Sequence, residues 1–486
     1  MDEGVLAYGA ERVLEGQIPN RDFVSAQPPL SFYSAALFFK TFGTSLASLR
    51  ILGISIYVAI ALLIYGIMRT VAGPLLSLVA AFPALILGIP FFNFVPFAIW
   101  QGITATLVAV FLLARGVLSK SSLLIFATGI MTAISILLRH DQGFYLLLST
   151  CSFAVALKFA QPSVVSSKEL RRLIACWAAG ILAVILPLVI FWWFEQALGK
   201  MFSQLVVFPL TTYAKTSSRA FPHWNSASPF SDNAVTLLFY LSPVLQGAVL
   251  IWLVSRFVRK QYCWPEAIAT FLLIWSALFY CQTLTRSDWH HLLITLPPIF
   301  ILIPYAGSLI LQKFDALVAR SLQNRRALQI AKGLPRLFAV LVLIWFLSAV
   351  SPACLPDLST KTFVSLPRGQ VRIEGGDKMT NFVHLVQQAA GPERSILSLP
   401  YYPILYFLSE RRNPTQWNYL WPGDQTPQDH QALIDQAKRD PPALVVLVKE
   451  KQMQEYAPLV IDYVHSNYRL AGDSGELAVY LSGDSH

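Results

Sequence analysis

Residues 172–195 read RLIACWAAGILAVILPLVIFWWFE, with charged side chains only at the two ends. A bilayer has a hydrocarbon core about 30 Å thick, and an α-helix needs about 20 apolar residues to cross it. This run is therefore long and apolar enough to span a membrane. Nine further apolar runs are predicted to do the same, at 47–68, 74–93, 98–115, 121–138, 142–159, 233–256, 265–284, 291–311 and 335–351.

The composition of the whole chain agrees with this interpretation. The 486 residues are 55% hydrophobic and 13% charged, with a mean hydropathy of +0.54, whereas soluble domains carry about 25% charged residues. A polytopic, all-helical membrane domain is therefore predicted. The net charge of +10 lies mostly in short loops between apolar runs, which argues against nucleic-acid binding. Five scattered Cys without a CxxC spacing indicate neither a disulfide framework nor a metal–thiolate site.

Loop charges predict the orientation. Residues 28–42 (PPLSFYSAALFFKTF) are apolar, but short and interrupted by polar side chains. If this stretch does not cross and the N-terminal loop is outside, the inner loops hold 16 Lys and Arg residues and the outer inter-span loops hold five. Cytoplasmic loops are enriched in Lys and Arg, so ten spans with this orientation are expected. The outer side then carries the polar clusters 2–3, 139–142 and 286–291, the 196–232 loop and everything after about residue 352.

The sequence predicts that the chain divides into three regions. Residues 1–46 form an outer loop in which Gly4 to Gly16 suits a helix lying along the membrane surface. Residues 47–352 form the transmembrane domain. Residues 353–486 are predicted to be a small soluble α/β domain, because SILSLPYYPILYFL indicates a strand, a turn and a helix, QDHQALIDQAKRD a helix, and ALVVLVKE and ELAVYLS two strands.

The first residues carry a family resemblance. DEGVLAYGAERVLEGQIPNRDF, followed by QPPL, resembles the first outer loop of the GT-C glycosyltransferases that use polyprenyl-phosphate sugars. The branches concerned are protein O-mannosyltransferases, lipid A aminoarabinose transferases and transferases that modify lipopolysaccharide cores. The resemblance is dense over 2–50 and looser over most of the chain. In that family a first transmembrane helix ends just before the Asp-Glu pair. Here that helix is missing, so we expect the natural start to lie upstream of Met1.

The resemblance implies a function. The protein is expected to be an inverting glycosyltransferase at the outer face of a bacterial inner membrane. It would move a sugar from a polyprenyl phosphate to a hydroxyl of a lipid, glycan or protein. Asp2 would be the general base and Glu3 would support it. The alternative is that both acids only cap the first helix. The family uses no nucleotide-sugar pocket, and the sequence has no GxGxxG or P-loop.

Two outer clusters could bind the lipid phosphate. Arg139 and Asp141 lie where one span ends and the next begins, and Arg can pair bidentately with phosphate. Arg286 and His291 could bind phosphate while Asp288 orients one of them. For Arg139 and Asp141 the alternative is a surface ion pair that anchors two helices. For Arg286, Asp288 and His291 it is polar decoration of helix ends at the membrane interface.

Two further site predictions stay open. Asp22 is either a second acid near Asp2 or a turn residue after Pro19-Asn20. No cofactor is required by these patterns, but a divalent metal held by His290 or His291 with an acid is possible.

Two other functions compete. A transporter or flippase for a lipid or glycan would show acids or interrupted helices at the bilayer midplane, but the middles of the predicted spans carry almost no ionisable residues. A non-catalytic scaffold would leave the outer polar clusters unexplained.

Overall fold

The computed structural model describes residues 2–87, 94–160, 165–354 and 361–483, and they form mainly helices. The helices of the first 354 residues are α1 (Asp2–Leu14), α2 (Pro29–Phe42), α3 (Leu46–Met68), α4 (Pro74–Ile86), α5 (Ala98–Leu118), α6 (Ser122–Leu138), α7 (His140–Phe159), α8 (Ser167–Phe194), α9 (Leu198–Phe202), α10 (Ala214–Thr216), α11 (Phe230–Val258), α12 (Trp264–Thr285), α13 (Trp289–Thr295), α14 (Pro297–Ser321) and α15 (Arg325–Cys354). Two π-helical turns, Ser203–Val207 and Pro209–Tyr213, lie between α9 and α10.

Each of the ten predicted spans coincides with a helix. Eight of these helices are long and apolar enough to cross a membrane: α3, α5, α7, α8, α11, α12, α14 and α15. The other two, α4 and α6, are shorter apolar helices of 13 and 17 residues. Residues 88–93, at the end of the predicted 74–93 span, lie outside the described residues. Helix α2 has 14 residues and is not among the eight.

Local sequence explains where several of these helices begin. The Ser45 side chain accepts a hydrogen bond from the backbone of Ser48 and so caps α3. Ser166 and Glu169 form a reciprocal capping box at the start of α8. Such caps satisfy backbone N–H groups that have no partner within the helix.

Burial separates the inner helices from the lipid-facing ones. Trp275 and Phe279 of α12 are fully buried, whereas Leu182 and Leu186 of α8 are more than half exposed. An apolar face that contacts no protein suits contact with lipid. The protein is therefore an integral membrane protein whose outermost helices turn apolar side chains to the bilayer.

Helices α6 and α8 cross at a pair of glycines. A Cβ atom on Gly129 would lie 2.1 Å from the Trp177 carbonyl oxygen, and one on Gly180 would lie 2.1 Å from the Phe126 carbonyl oxygen. Small residues let helix backbones approach closely where van der Waals packing must hold them together. The crossing therefore depends on the absence of side chains at both positions.

The C-terminal region is a small α/β unit. Strands β3 (Ile396–Leu399), β4 (Leu444–Val448), β5 (Tyr468–Asp473) and β6 (Leu477–Ser482) form a sheet in the order β3-β4-β6-β5. Only the β3–β4 pair is parallel. The remaining elements are the hairpin of β1 (Lys361–Leu366) and β2 (Gly369–Glu374) and the helices α16 (Gly376–Ala389), α17 (Ile404–Ser409), α18 (Pro427–Arg439), α19 (Glu450–Met453) and α20 (Pro458–Asn467).

The predicted strands and helices of this region are present. The structure adds the β1–β2 hairpin, α16, α19, α20 and β5 to them. An all-helical membrane bundle with a small C-terminal α/β unit is the predicted fold class, and it is confirmed.

The first helix is buried by protein. Leu6, Ala7 and Ala10 of α1 are fully buried, and α1 packs against α2 and α17. The Tyr8 ring stacks on Tyr406 with centroids 4.8 Å apart. The apolar pattern that suggested a helix on the membrane surface is thus accounted for by packing against α2 and the C-terminal unit.

Candidate active site

The first polar cluster is built where α6 gives way to α7. Arg139 ends α6 and precedes α7 in an extended conformation, with φ −157° and ψ 104°. Its Nε donates to Asp141 Oδ1 at 3.0 Å. Helix α5 passes close behind, since a Cβ atom on Gly102 would lie 2.7 Å from the Arg139 Cβ. The non-helical Arg139 between α6 and α7 and the close approach of α5 at Gly102 hold this Arg–Asp pair in place.

The second cluster surrounds Asp288, which caps α13. Its Oδ1 accepts hydrogen bonds from the His291 backbone N at 3.0 Å and lies 2.7 Å from His291 Nδ1. Its Oδ2 accepts from Arg286 Nε at 2.7 Å, and Arg219 Nε lies 4.0 Å away. Asp288 therefore orients both Arg286 and His291, where the sequence suggested only one of them.

The ionisation of Asp288 follows from these contacts. Burial disfavours the carboxylate, but the hydrogen bonds from His291 and the charge of Arg286 outweigh it and hold the pKa of Asp288 well below its usual range. Asp288 is thus an anion that fixes two basic side chains. A carboxylate this strongly stabilised is a poor proton acceptor.

Two side chains join the clusters. Gln282, one turn before Arg286 on α12, donates its Nε2 to Asp141 Oδ2 at 2.5 Å. Tyr213, in the second π-helical turn, accepts a hydrogen bond from Arg286 Nη1 at 3.1 Å. The two Arg–Asp pairs therefore form a single polar site at one end of the helix bundle.

This polar site suits an anion. Arg139, Arg286, Arg219 and His291 outnumber the two carboxylates. Among the described residues no partner takes the Nη2 donors of Arg286. A planar guanidinium with spare donors matches the oxygens of a phosphate.

A divalent metal does not fit at Asp288. The two guanidinium groups beside this carboxylate would repel a cation. In the part of the chain that the structure describes, no group of three or more His, Cys, Asp or Glu could hold a metal ion. His290 Nδ1 lies 3.9 Å from Asp288 Oδ1.

The N-terminal acids are placed differently. Glu3 lies in the first turn of α1 and its side chain pairs with Arg50 of α3 at 2.9 Å. Asp2 is the first residue of α1, and its side chain lies outside what the structure describes. The structure therefore gives Glu3 a basic partner from the bundle.

Asp22 closes a turn. Its Oδ2 accepts from the Ile18 backbone N at 2.7 Å, and Arg21 donates to both of its oxygens at 2.8 Å. Arg21 also pairs with Glu195 at the end of α8. These contacts tie the N-terminal loop to the end of α8, and they satisfy both oxygens of Asp22.

Sequence reasoning missed three side chains of the site: Gln282, Tyr213 and Arg219. The sequence did contain one indication for Gln282. Positions i and i+4 share a helix face, and Arg286 lies four residues later. Tyr213 and Arg219 lie in a long loop with no periodic pattern. Their approach to Arg286 depends on how the loop folds back over α12.

Comparison with solved structures identifies proteins of similar fold. The crystal structure of ArnT from Cupriavidus metallidurans in the apo state matches with a TM-score of 0.53 and 13% identity, over 99% of this chain and 93% of that one. ArnT bound to undecaprenyl phosphate matches with a TM-score of 0.53 and 12% identity, over 100% and 94%.

The archaeal oligosaccharyltransferase AglB from Archaeoglobus fulgidus, in complex with an inhibitory peptide and a dolichol-phosphate, is also similar. It matches with a TM-score of 0.50 and 12% identity, over 99% of this chain and 69% of that one. No protein-family model and no curated protein matches the sequence. The likeness extends along the described helices and the C-terminal unit alike, and it confirms the resemblance seen in the first residues at the level of the fold: the chain has the GT-C fold of ArnT and AglB.

Proposed function

We propose that the protein is an inverting glycosyltransferase that moves a sugar from a polyprenyl phosphate to a hydroxyl group of an acceptor. The observation that carries the proposal is the convergence of Arg139, Arg286 and His291 on one polar site at the end of an apolar bundle. A lipid-linked phosphate needs this combination, because its tail stays in the bilayer while its head group reaches the interface. ArnT bound to undecaprenyl phosphate and AglB with a dolichol-phosphate support the same ligand class.

The chemistry is a displacement at the anomeric carbon. The acceptor oxygen forms a bond to that carbon as the bond to the phosphate oxygen breaks, and the configuration inverts. Negative charge grows on the departing lipid phosphate, and fixed cations stabilise it. In this scheme Arg286 and Arg139 bind the phosphate, while Asp288 and Asp141 keep these guanidinium groups in place.

A base must take the acceptor proton. Asp288 is held ionised by its basic neighbours, and Asp141 already accepts from Arg139 and Gln282. The resemblance of the first residues to the GT-C glycosyltransferases assigns this role to Asp2, with Glu3 in support. Asp2→Asn is expected to abolish transfer without weakening donor binding. Full transfer by that variant would remove Asp2 from the mechanism.

We also propose that the polar site faces the outside of a bacterial inner membrane, with the N-terminal loop and the C-terminal unit on the same side. The support is the excess of Lys and Arg in the loops of the opposite end. The polar site and the C-terminal unit share one end of the bundle, because Tyr213, which accepts a hydrogen bond from Arg286 at 3.1 Å, packs against Trp421 of the C-terminal unit with ring centroids 5.8 Å apart.

The test uses the purified full-length chain with a panel of polyprenyl-phosphate sugars and bacterial membrane acceptors. Wild type should transfer one of the sugars, and Arg286→Ala should lower transfer at least about a hundred-fold, as loss of a group that stabilises developing charge does. The matched control is Arg259→Ala, an exposed arginine at the opposite end of the bundle. Folded wild type that turns over no donor, or equal losses in both variants, would contradict the proposal.

A further inference from the structure

A strip of aromatic side chains leads away from the polar site. Tyr213, Trp421 and Tyr401 form what we call the aromatic strip. The ring centroids of Tyr213 and Trp421 are 5.8 Å apart, and those of Trp421 and Tyr401 are 6.0 Å apart. Tyr213 is also the residue that accepts a hydrogen bond from Arg286. The strip therefore begins at the guanidinium that we assign to the phosphate and runs onto the C-terminal unit.

The strip lies at the surface. Tyr213, Trp421 and Tyr401 are each partly exposed, and the hydrogen bond from Trp421 Nε1 to Thr216 Oγ1, 3.0 Å long, is exposed to solvent. The stacked pair Tyr8–Tyr406, where α1 packs on the same C-terminal unit, is instead almost completely buried. Aromatic rings that served only to join two parts of the chain would be covered in the same way.

Polar groups border the rings. The Thr212 hydroxyl is 3.5 Å from the Gly423 carbonyl oxygen, and the Thr216 hydroxyl accepts from Trp421 Nε1. Gln425 donates to the Asp424 carboxylate at 2.5 Å and accepts from the Trp421 backbone N at 2.7 Å. Hydroxyl, amide and carboxylate groups thus surround an aromatic surface.

This combination matches a sugar ring. A pyranose has C–H groups on its faces and hydroxyls around its edge. The partly positive C–H groups pack against the negative face of an aromatic ring, and the hydroxyls need donors and acceptors at the border. A lipid chain has no hydroxyls to meet these polar groups, whereas a saccharide carries hydroxyls around its whole edge.

We propose that the aromatic strip binds the acceptor, and that this acceptor is a saccharide whose hydroxyl receives the transferred sugar. The inference rests on the proposed function and narrows its acceptor class. Because the strip begins at Tyr213, a saccharide lying on Trp421 would hold its reacting hydroxyl beside the phosphate bound by Arg286. Trp421 is then a specificity-determining residue that contacts substrate without taking part in the bond changes.

The test compares four full-length proteins: wild type, Trp421→Leu, Trp421→Tyr and the matched control Trp224→Leu, which removes an exposed tryptophan from the 196–232 loop. Each receives the donor that wild type turns over. The acceptor probes are core oligosaccharide prepared from bacterial lipopolysaccharide and a peptide rich in Ser and Thr. Product linkage, the KM for acceptor, kcat and affinity for undecaprenyl phosphate are measured.

We expect the oligosaccharide to act as acceptor, with the transferred sugar linked to one of its sugar residues. Trp421→Leu should raise the KM for the oligosaccharide about ten-fold, with kcat and undecaprenyl phosphate affinity little changed. Trp421→Tyr, which keeps an aromatic face, should have a KM for the oligosaccharide close to that of wild type. Trp224→Leu should behave as wild type.

Three results would overturn the inference while leaving the proposed function intact. The first is transfer of the sugar to the peptide, or no transfer to the oligosaccharide. The second is an unchanged KM for the oligosaccharide in Trp421→Leu. The third is a raised KM in Trp421→Leu that is equally raised in Trp421→Tyr. Wild type that turns over no donor at all would instead remove the proposed function, and the inference with it.

Discussion

At the scale of single residues, the site depends on carboxylates that hold basic groups. Asp288 contacts Arg286 and His291 and has only 10% of its side chain exposed. Removing one partner of a largely buried charge pair leaves the other without compensation. The contribution of Asp288 to the fold, and to the proposed catalysis, thus comes through the two basic side chains that it orients.

Asp288→Asn is therefore expected to lower the free energy of unfolding at pH 7 by about 1–3 kcal/mol and to lower transfer by a larger factor than this destabilisation explains. Because its pKa is depressed, Asp288 stays ionised above its ordinary value of 3.8, and its stabilising effect is lost only as the pH falls through the depressed pKa. Denaturant unfolding between pH 5 and 8 should show a constant difference from wild type. A difference that disappears within that window would contradict this assignment.

The pKa of Glu11 on α1 is raised, whereas that of Asp288 is lowered. Burial raises the Glu11 pKa to about 7, although the charge of Arg368 lowers it in part. Between the ordinary value of 4.5 and about 7, the folded state holds a proton that the unfolded state has released, so stability falls as the pH rises. Glu11→Gln should flatten the decrease in unfolding midpoint between pH 5 and 8, while the exposed control Glu455→Gln keeps it. An unchanged slope in Glu11→Gln would show that other groups cause the decrease.

At the scale of secondary-structure elements, the glycine crossing of α6 and α8 is the most sensitive contact. A leucine at position 129 would meet the Trp177 carbonyl and force the two backbones apart. The matched control is position 247 of α11, where an added Cβ would meet no atom within 4 Å.

Gly129→Leu should markedly lower the thermal unfolding midpoint in detergent, whereas Gly247→Leu should leave it equal or higher, because leucine favours a helix over glycine. Equal effects of the two substitutions would mean that the crossing is not tightly packed.

The elements also show what sequence can predict. Spans such as Leu46–Met68 and Trp264–Thr285 were predictable, because length and apolar composition are local properties. Arg139, Asp141, Arg286, Asp288 and His291 were recognisable as polar breaks between such runs. The contacts of Gln282 with Asp141 and of Tyr213 with Arg286 were not, since their partners are 141 and 73 residues away and meet only through tertiary packing.

At the scale of the whole molecule, the N- and C-terminal regions close over the same end of the bundle. Arg12 of α1 is buried and donates to the Thr415 carbonyl and the Asn418 side chain, at 3.2 and 2.8 Å. A buried guanidinium is tolerated only when its donors are satisfied. The first helix is therefore held by the C-terminal unit as well as by α2.

The proposed orientation predicts a labelling pattern. In a variant whose native cysteines are replaced by serine, Ser226→Cys in the 196–232 loop should react with a membrane-impermeant maleimide in intact spheroplasts. Gln323→Cys, between α14 and α15, should react only after the membrane is opened. Both positions are exposed, so access to the reagent depends on the side of the membrane. The reverse pattern would place the polar site on the cytoplasmic face.

The central claim is that the joined Arg–Asp clusters bind a lipid phosphate, and affinity for undecaprenyl phosphate relative to undecaprenol tests it most directly. The two lipids differ only in the phosphate, and native mass spectrometry of the full-length protein in detergent measures both. The account predicts that wild type prefers undecaprenyl phosphate by at least about ten-fold, the equivalent of about 1.4 kcal/mol, that Arg286→Ala loses this preference and that Arg259→Ala keeps it. Equal affinity of wild type for the two lipids, or an unchanged preference in Arg286→Ala, would contradict it.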